Sequence, residues 1–192
     1  LSSVPAKRAA SDGSERGINR EYFASSRPAF MSSGGLTPAQ RGTATHKFMQ
    51  FSNYAAARAD IESELARLVD GGFLSEDEGK AVNIGAAKRF FMSSLAERIF
   101  ASDNVMREKK FAALFPAKFF YPELTGVFVE DGKLVIVDYK TDTGVDAEAL
   151  LDRYSAQLGI YREALSQALG MPVKETLLYS FFMNSTVKVG TV

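Results

Sequence analysis

The chain has 192 residues, enough for one domain or one domain with an appendage, and it is 46% hydrophobic with 15 Phe, ample for a core. Its 23 basic and 23 acidic residues cancel, so no whole-chain charge drives nucleic-acid binding and any such contact must come from a local patch. The absence of Cys excludes a disulfide framework and a thiolate metal site and fits a reducing cytoplasm, and no apolar stretch approaches the ~18–20 residues of a membrane span.

Residues 1–35 are rich in Ser, Gly, Ala and Arg with weak periodicity, and are expected to form a mobile N-terminal segment. With Leu in first position, the chain is expected to be a piece of a larger protein. Residues 36–105 read as helical. Thr37 is placed to cap a helix with Pro38 in its first turn. The apolar face that follows Gly42 holds Phe48, Met49, Phe51 and His46, the one His of the chain. Residues 60–69 carry Ile61, Leu65, Leu68 and Val69 at helical spacing, and Gly71-Gly72 ends that run. Ser75 with Glu78 three residues on is a capping box. Residues 83–100 read as one helix with Ile84, Ala87, Phe91, Leu95 and Ile99 on one face.

Residues 106–192 are expected to make the sheet core. A strand is expected over residues 106–120. Val127-Phe128-Val129 and Leu134-Val135-Ile136-Val137 flank Asp131-Gly132, a strong hairpin signal. Residues 146–169 read as a long amphipathic helix ended by Gly170 and Pro172, and residues 173–183 as a further strand. The layout is α/β: a central mixed β-sheet flanked by helices, with an N-terminal helical region. No G-x-x-x-x-G-K-[ST] loop is present in these residues, so no ATP site is expected in them.

The chemistry concentrates in Asp138-Tyr139-Lys140-Thr141. An uninterrupted β-branched run such as Leu134 to Val137 suits a strand buried on both faces. Asp138 and Lys140, two apart, point to the same side of it. A carboxylate that can hold a divalent cation beside an ammonium suits phosphodiester hydrolysis. An isolated Asp-Tyr-Lys also fits a strand whose charged end is leaving the core. His46 fits packing against Phe48 and Phe51 as well as ligation. Gln157 and Tyr161 share a helix face. They fit a polar flank, or a pair that fixes a DNA phosphate or orders the lysine.

Taken in order, a set of segments resembles the RecB-type nuclease family of the PD-(D/E)xK, restriction-endonuclease-like superfamily, and within it the C-terminal nuclease domains of AddA-type helicase–nuclease proteins. The segments are Leu36 to His46, Gly72 to Glu78, Arg107-Glu108-Lys109-Lys110-Phe111, Val137 to Asp142, and Tyr154 to Tyr161. The resemblance implies that His46 and Asp138 are metal ligands, with the Tyr139 carbonyl near the metal. It implies that Lys140 is the catalytic lysine and that Gln157 and Tyr161 are the helix motif that follows. Glu108 matches an acidic position of less certain role, and Glu123 is a possible accessory carboxylate. The implied cofactor is Mg²⁺, with Mn²⁺ as a substitute; oxygen-rich ligation suits both. The implied substrate is DNA, a single-stranded end fed to the site. The implied partners are a helicase portion of the same polypeptide and a second nuclease protein of AddB type, in the bacterial cytoplasm and away from membranes.

One departure stands out. The family carries a second Asp in a Gly-x-x-Asp pattern about thirteen residues before Asp138, and here that position is Thr125. Either the site is degenerate, leaving a DNA-binding or subunit-docking module, or the sequence skips a segment between about Leu124 and Val127. The intact neighbouring motifs favour the skip. A lysine at a cleft edge is expected to be removable with little cost to folding.

Overall fold

Helix starts in this chain are set by side chains that satisfy the orphan N–H groups of a first turn. In α1 (Pro38–Phe51), Thr37 accepts from the Gln40 N–H while the Gln40 side chain accepts from the Thr37 N–H, and Pro38 occupies the first turn. Asn53, Asp60, Ser75, Asn83 and Ser93 cap α2 (Tyr54–Ala59), α3 (Ile61–Asp70), α4 (Glu76–Ala81), α5 (Ile84–Phe91) and α6 (Ser94–Ala101). The single helix expected over residues 83–100 is therefore two. Ser93 captures the Ala96 N–H and breaks the backbone, while the apolar spacing runs on across the break, which is why periodicity alone did not show it. Helix α2 was not expected; it is a short helix of six residues set off by the Asn53 cap.

The computed structural model describes residues 36–107 and 126–190. The mobile segment expected over residues 1–35, most of the strand expected over 106–120, and Glu108, Glu123 and Thr125 lie outside the described residues. Strands β1 (Val105–Arg107), β2 (Gly126–Glu130), β3 (Lys133–Lys140), β4 (Val173–Ser180) and β5 (Ser185–Val189) form one sheet in the order β1-β2-β3-β4-β5. Only the β3–β4 pair is parallel, so the sheet is mixed as expected, and α7 (Ala147–Leu169) makes the crossover between them. The β2–β3 turn is Asp131-Gly132, with φ of 51° and 71°, the two positive values that such a two-residue hairpin requires. The strand expected to run through residue 183 stops at Ser180; the chain turns at 181–184 and returns as β5.

Strand β3 is the axis of the fold. Its alternation divides between two cores. Val135, Val137 and Tyr139 face the one built with the N-terminal helices, among Phe48, Phe90, Phe91 and Tyr179. Leu134 and Ile136 face the one covered by α7 through Leu150, Leu158, Tyr161 and Leu165. That explains an apolar run with no polar alternation: both faces are dry.

At the hairpin end of the sheet, Arg98 of α6 forks onto Glu130 at 2.9 and 2.7 Å and also pairs with Glu175, while Lys174 reaches Glu130 and Asp131, both at 2.7 Å. The Arg98 guanidinium, followed by Lys174, depresses the Glu130 carboxyl to about 2. A depressed carboxyl contributes stability that is complete above its unfolded value and is lost as pH falls through the folded one. Acid unfolding should therefore show a component between about pH 4.5 and pH 2 that Arg98→Met weakens and Arg98→Met with Lys174→Met removes; a single variant whose pH–stability curve matched the parent there would sever the link.

Candidate active site

The C-terminal ends of β3 and β4 lie at the edge of the sheet remote from that ion network, with Lys140 paired with Ser180. There the alternation that sends Leu134 and Ile136 toward α7 sends Asp138 and Lys140 the same way. Asp138 is fully buried and Lys140 is 5% exposed. Lys140 Nζ stands 3.1 Å from Asp138 Oδ2. The expectation of a lysine at a cleft edge is thus corrected: the residue is inside, beside Ser180 of β4 and against Tyr154 of α7. The Lys140 carbonyl accepts from the Phe181 N–H at 2.9 Å. Strand carbonyls alternate in direction, so that of Tyr139 is turned away from β4, toward the side where the described β2 ladder ends at Gly126 opposite Val137.

Helix α7 meets this corner with one stripe: Leu150, Tyr154, Leu158, Tyr161 and Leu165 recur at intervals of three and four. Gln157 donates from Nε2 to the Tyr161 hydroxyl at 2.7 Å, so these two residues form a pair on the helix. Tyr161 is 2% exposed and belongs to the α7 core. Two further residues of the corner belong to the matching segments but carried no expected role. The Tyr154 ring centre lies 3.9 Å from Lys140 Nζ, and its hydroxyl donates to both carboxylate oxygens of Asp142 at 3.1 Å. Arg153 also pairs with Asp142. Burial, and then the Asp142 carboxylate, push the Tyr154 phenol above its ordinary range, so it remains a donor at neutral pH.

On the other face, Tyr139 is held by its neighbours. Its hydroxyl lies 3.2 Å from that of Tyr54, and burial, then Tyr54, raises the phenol well above its usual value. Arg107 stacks on Tyr54 at 4.3 Å and donates to the Met49, Gln50 and Ser52 carbonyls, at 3.3, 3.5 and 2.6 Å. A guanidinium on the last carbonyls of a helix opposes its dipole and fixes that end. Arg107 thereby ties α1 to the sheet edge at one end.

At its other end α1 touches the site strand directly. A Cβ on Gly42 would stand 2.9 Å from Thr141 Oγ1, closer than side chains approach. His46 is one turn further on and half-buried. The α1 core residues Ala44, Phe48 and Met49 lie on the Tyr139 side of the sheet, whereas Asp138 faces α7. Gly42→Val should push α1 off the strand end. It should cost about 1–3 kcal/mol by overpacking; Thr141→Ala, which opens the space, should recover part of that loss in the double variant. A Gly42→Val chain that unfolds at the parent's midpoint would show that the close approach is not a tight contact.

A hard carboxylate oxygen and a backbone carbonyl suit a divalent cation of the Mg²⁺ kind. Among the described residues, however, no three His, Asp or Glu side chains cluster as a metal cage. Asp138 fits as one ligand. The described residues alone do not complete the set, and Glu108 and Glu123 are not among them.

A mixed sheet flanked by helices, with Asp-Tyr-Lys buried at the end of its central strand, is the architecture of a restriction-endonuclease-like nuclease core. The chain belongs to the PD-(D/E)XK nuclease superfamily, whose family model matches residues 19–190. It is similar to an AddA-type ATP-dependent helicase/nuclease protein of Clostridium botulinum strain 657, with 31% identity over 216 residues, 98% of this chain and 17% of that protein. The protein of the same name from the Hall strain is 32% identical over the same shares. That of Geobacillus thermodenitrificans is 34% identical over 181 residues, 81% of this chain and 15% of the relative. The chain therefore spans about a sixth of the length of these curated relatives. The botulinum alignments run over 216 residues, more than the 192 of this chain, so these relatives carry positions with no counterpart here.

Proposed function

We propose that this chain is the nuclease domain of a bacterial helicase–nuclease and hydrolyses DNA phosphodiesters with a divalent cation, Mg²⁺ or in its place Mn²⁺. The observation that carries this reading is the buried Asp138–Lys140 pair, 3.1 Å apart at the strand end of a chain from a nuclease superfamily. Asp138 would hold the cation together with His46 and the Tyr139 carbonyl. A cation bound there supplies Lewis-acid stabilisation of the phosphate and a more acidic attacking water. Lys140 would orient the attacking water or meet the charge that develops on the phosphate, at a position already desolvated by α7. Gln157 and Tyr161, locked to each other, would contact the DNA backbone or order the lysine.

The proposed substrate is a single-stranded DNA end, delivered by a helicase portion of the same polypeptide. The proposed partner is a second nuclease protein of AddB type, and the proposed setting is double-strand break repair and recombination in the bacterial cytoplasm. No helix among the described residues is long and apolar enough to cross a membrane. A rival is a nuclease fold that has lost a carboxylate and serves as a DNA-binding or docking module. It is suggested by Thr125 at the expected position of the second Asp. Cleavage of end-labelled linear single- and double-stranded DNA with Mg²⁺ or Mn²⁺, stopped by chelator, decides between them. Binding of DNA without cleavage in either metal would replace the nuclease reading with the rival.

A further inference from the structure

A lysine ammonium is a point charge on a flexible stem with no preferred direction of its own, so a site that uses it must hold it. The Asp138 carboxylate alone would draw it down onto a metal ligand. A second attraction lies on the Tyr154 ring, 3.9 Å from Nζ to the ring centre. A ring face attracts a cation without adding a formal negative charge that would repel a phosphate. The ring is itself fixed. Tyr154 is half-buried against the core under α7, and its hydroxyl donates to both oxygens of Asp142, two residues beyond Lys140 on the same chain. Arg153 neutralises Asp142 from outside. Strand end and helix are thus stapled on either side of the lysine.

We propose that Tyr154 is the positioning residue for Lys140, its ring face holding the ammonium beside Asp138 while Asp142 anchors the ring. This rests on the nuclease reading, in which Lys140 acts on the phosphate. The ring face, rather than bulk or the hydroxyl, does the holding, so Tyr154→Phe keeps most of the effect and Tyr154→Leu, similar in apolar volume but without a π face, loses it.

Two readouts test this. The first uses the free domain with labelled lysine and needs no activity: the Lys140 ε-CH2 signal, identified by its loss in Lys140→Arg, should be shifted upfield by the ring in the parent and in Tyr154→Phe, and should return to the ordinary lysine position in Tyr154→Leu. The second is cleavage of a linear single strand. For Tyr154→Leu, kcat should fall on the order of tenfold or more with KM within about twofold, because misplacement of a catalytic group acts on the chemical step; Tyr154→Phe should stay within about threefold of the parent. Asp142→Asn, which leaves the ring in place but loosens its anchor, should give a smaller loss of kcat, again at constant KM. The proposal is overturned if the parent signal is unshifted, if Tyr154→Leu retains the parent kcat, or if Tyr154→Phe falls as far as Tyr154→Leu. A parent that shows the ring shift but cuts no DNA leaves the lysine placement standing and overturns the nuclease reading instead.

Discussion

Lys140→Ala should abolish cleavage and, contrary to what its sequence position suggests, should also destabilise the fold. Asp138 is fully buried and Lys140 nearly so, with 3.1 Å between their charges. Removing one partner of a buried ion pair costs about 3–5 kcal/mol, whereas neutralising both costs far less. Urea unfolding at neutral pH should therefore rank Lys140→Ala well below the parent, and the double variant Asp138→Asn with Lys140→Met above either single change. Cleavage assayed where each variant is folded should still fall by at least about 10²–10³-fold in Lys140→Ala, the scale for losing a group that stabilises charge in the transition state. A Lys140→Ala domain that unfolds at the parent's midpoint would refute the buried pair. One that cuts at the parent's rate would remove the lysine from the reaction.

Calorimetric titration with Mn²⁺ should give weak binding to the parent and none to Asp138→Asn. Affinity for hard cations falls as anionic ligands are lost, and among the described residues no group of three or more His, Asp or Glu side chains could hold the ion. The β2–β3 ladder pairs Gly126 with Val137. Thr125 is the position at which the resemblance expects the second Asp. Thr125→Asp should then tighten Mn²⁺ on the order of tenfold or more and raise cleavage in step. If it does neither, Thr125 does not stand in the place of a second ligand, and that ligand comes from Glu108, Glu123 or positions that the relatives carry and this chain does not. Tight binding by the parent that Asp138→Asn leaves intact would place the metal elsewhere.

Local signals were legible wherever a side chain acts on its own backbone. The Thr37 and Ser75 capping boxes, the Asp131-Gly132 turn and the Gly170 stop of α7, with φ of 62°, all depend on contacts within a few residues. The same locality misled at Ser93 and at 181–184, where a cap and a turn interrupt apolar patterns that continue across them. Asp138 and Lys140 were legible because a strand's two-residue period puts them on one side regardless of what lies beyond. The ordered motifs likewise carried the family.

Other features needed the third dimension. No sequence rule shows which face of β3 meets which layer, so that Asp138 looks toward α7 while the helix bearing His46 lies across the sheet. The burial of Lys140, its contact with Tyr154 fourteen residues away, and the close approach of Gly42 to Thr141 arise from α7 and α1 closing over the two faces of one strand end. The residues themselves, by period, cap and turn, determined the elements and named the acid and the base. Only the packing of helices on a twisted sheet decided that the pair would be dry, because desolvation is a property of what surrounds a group and not of the group's own segment.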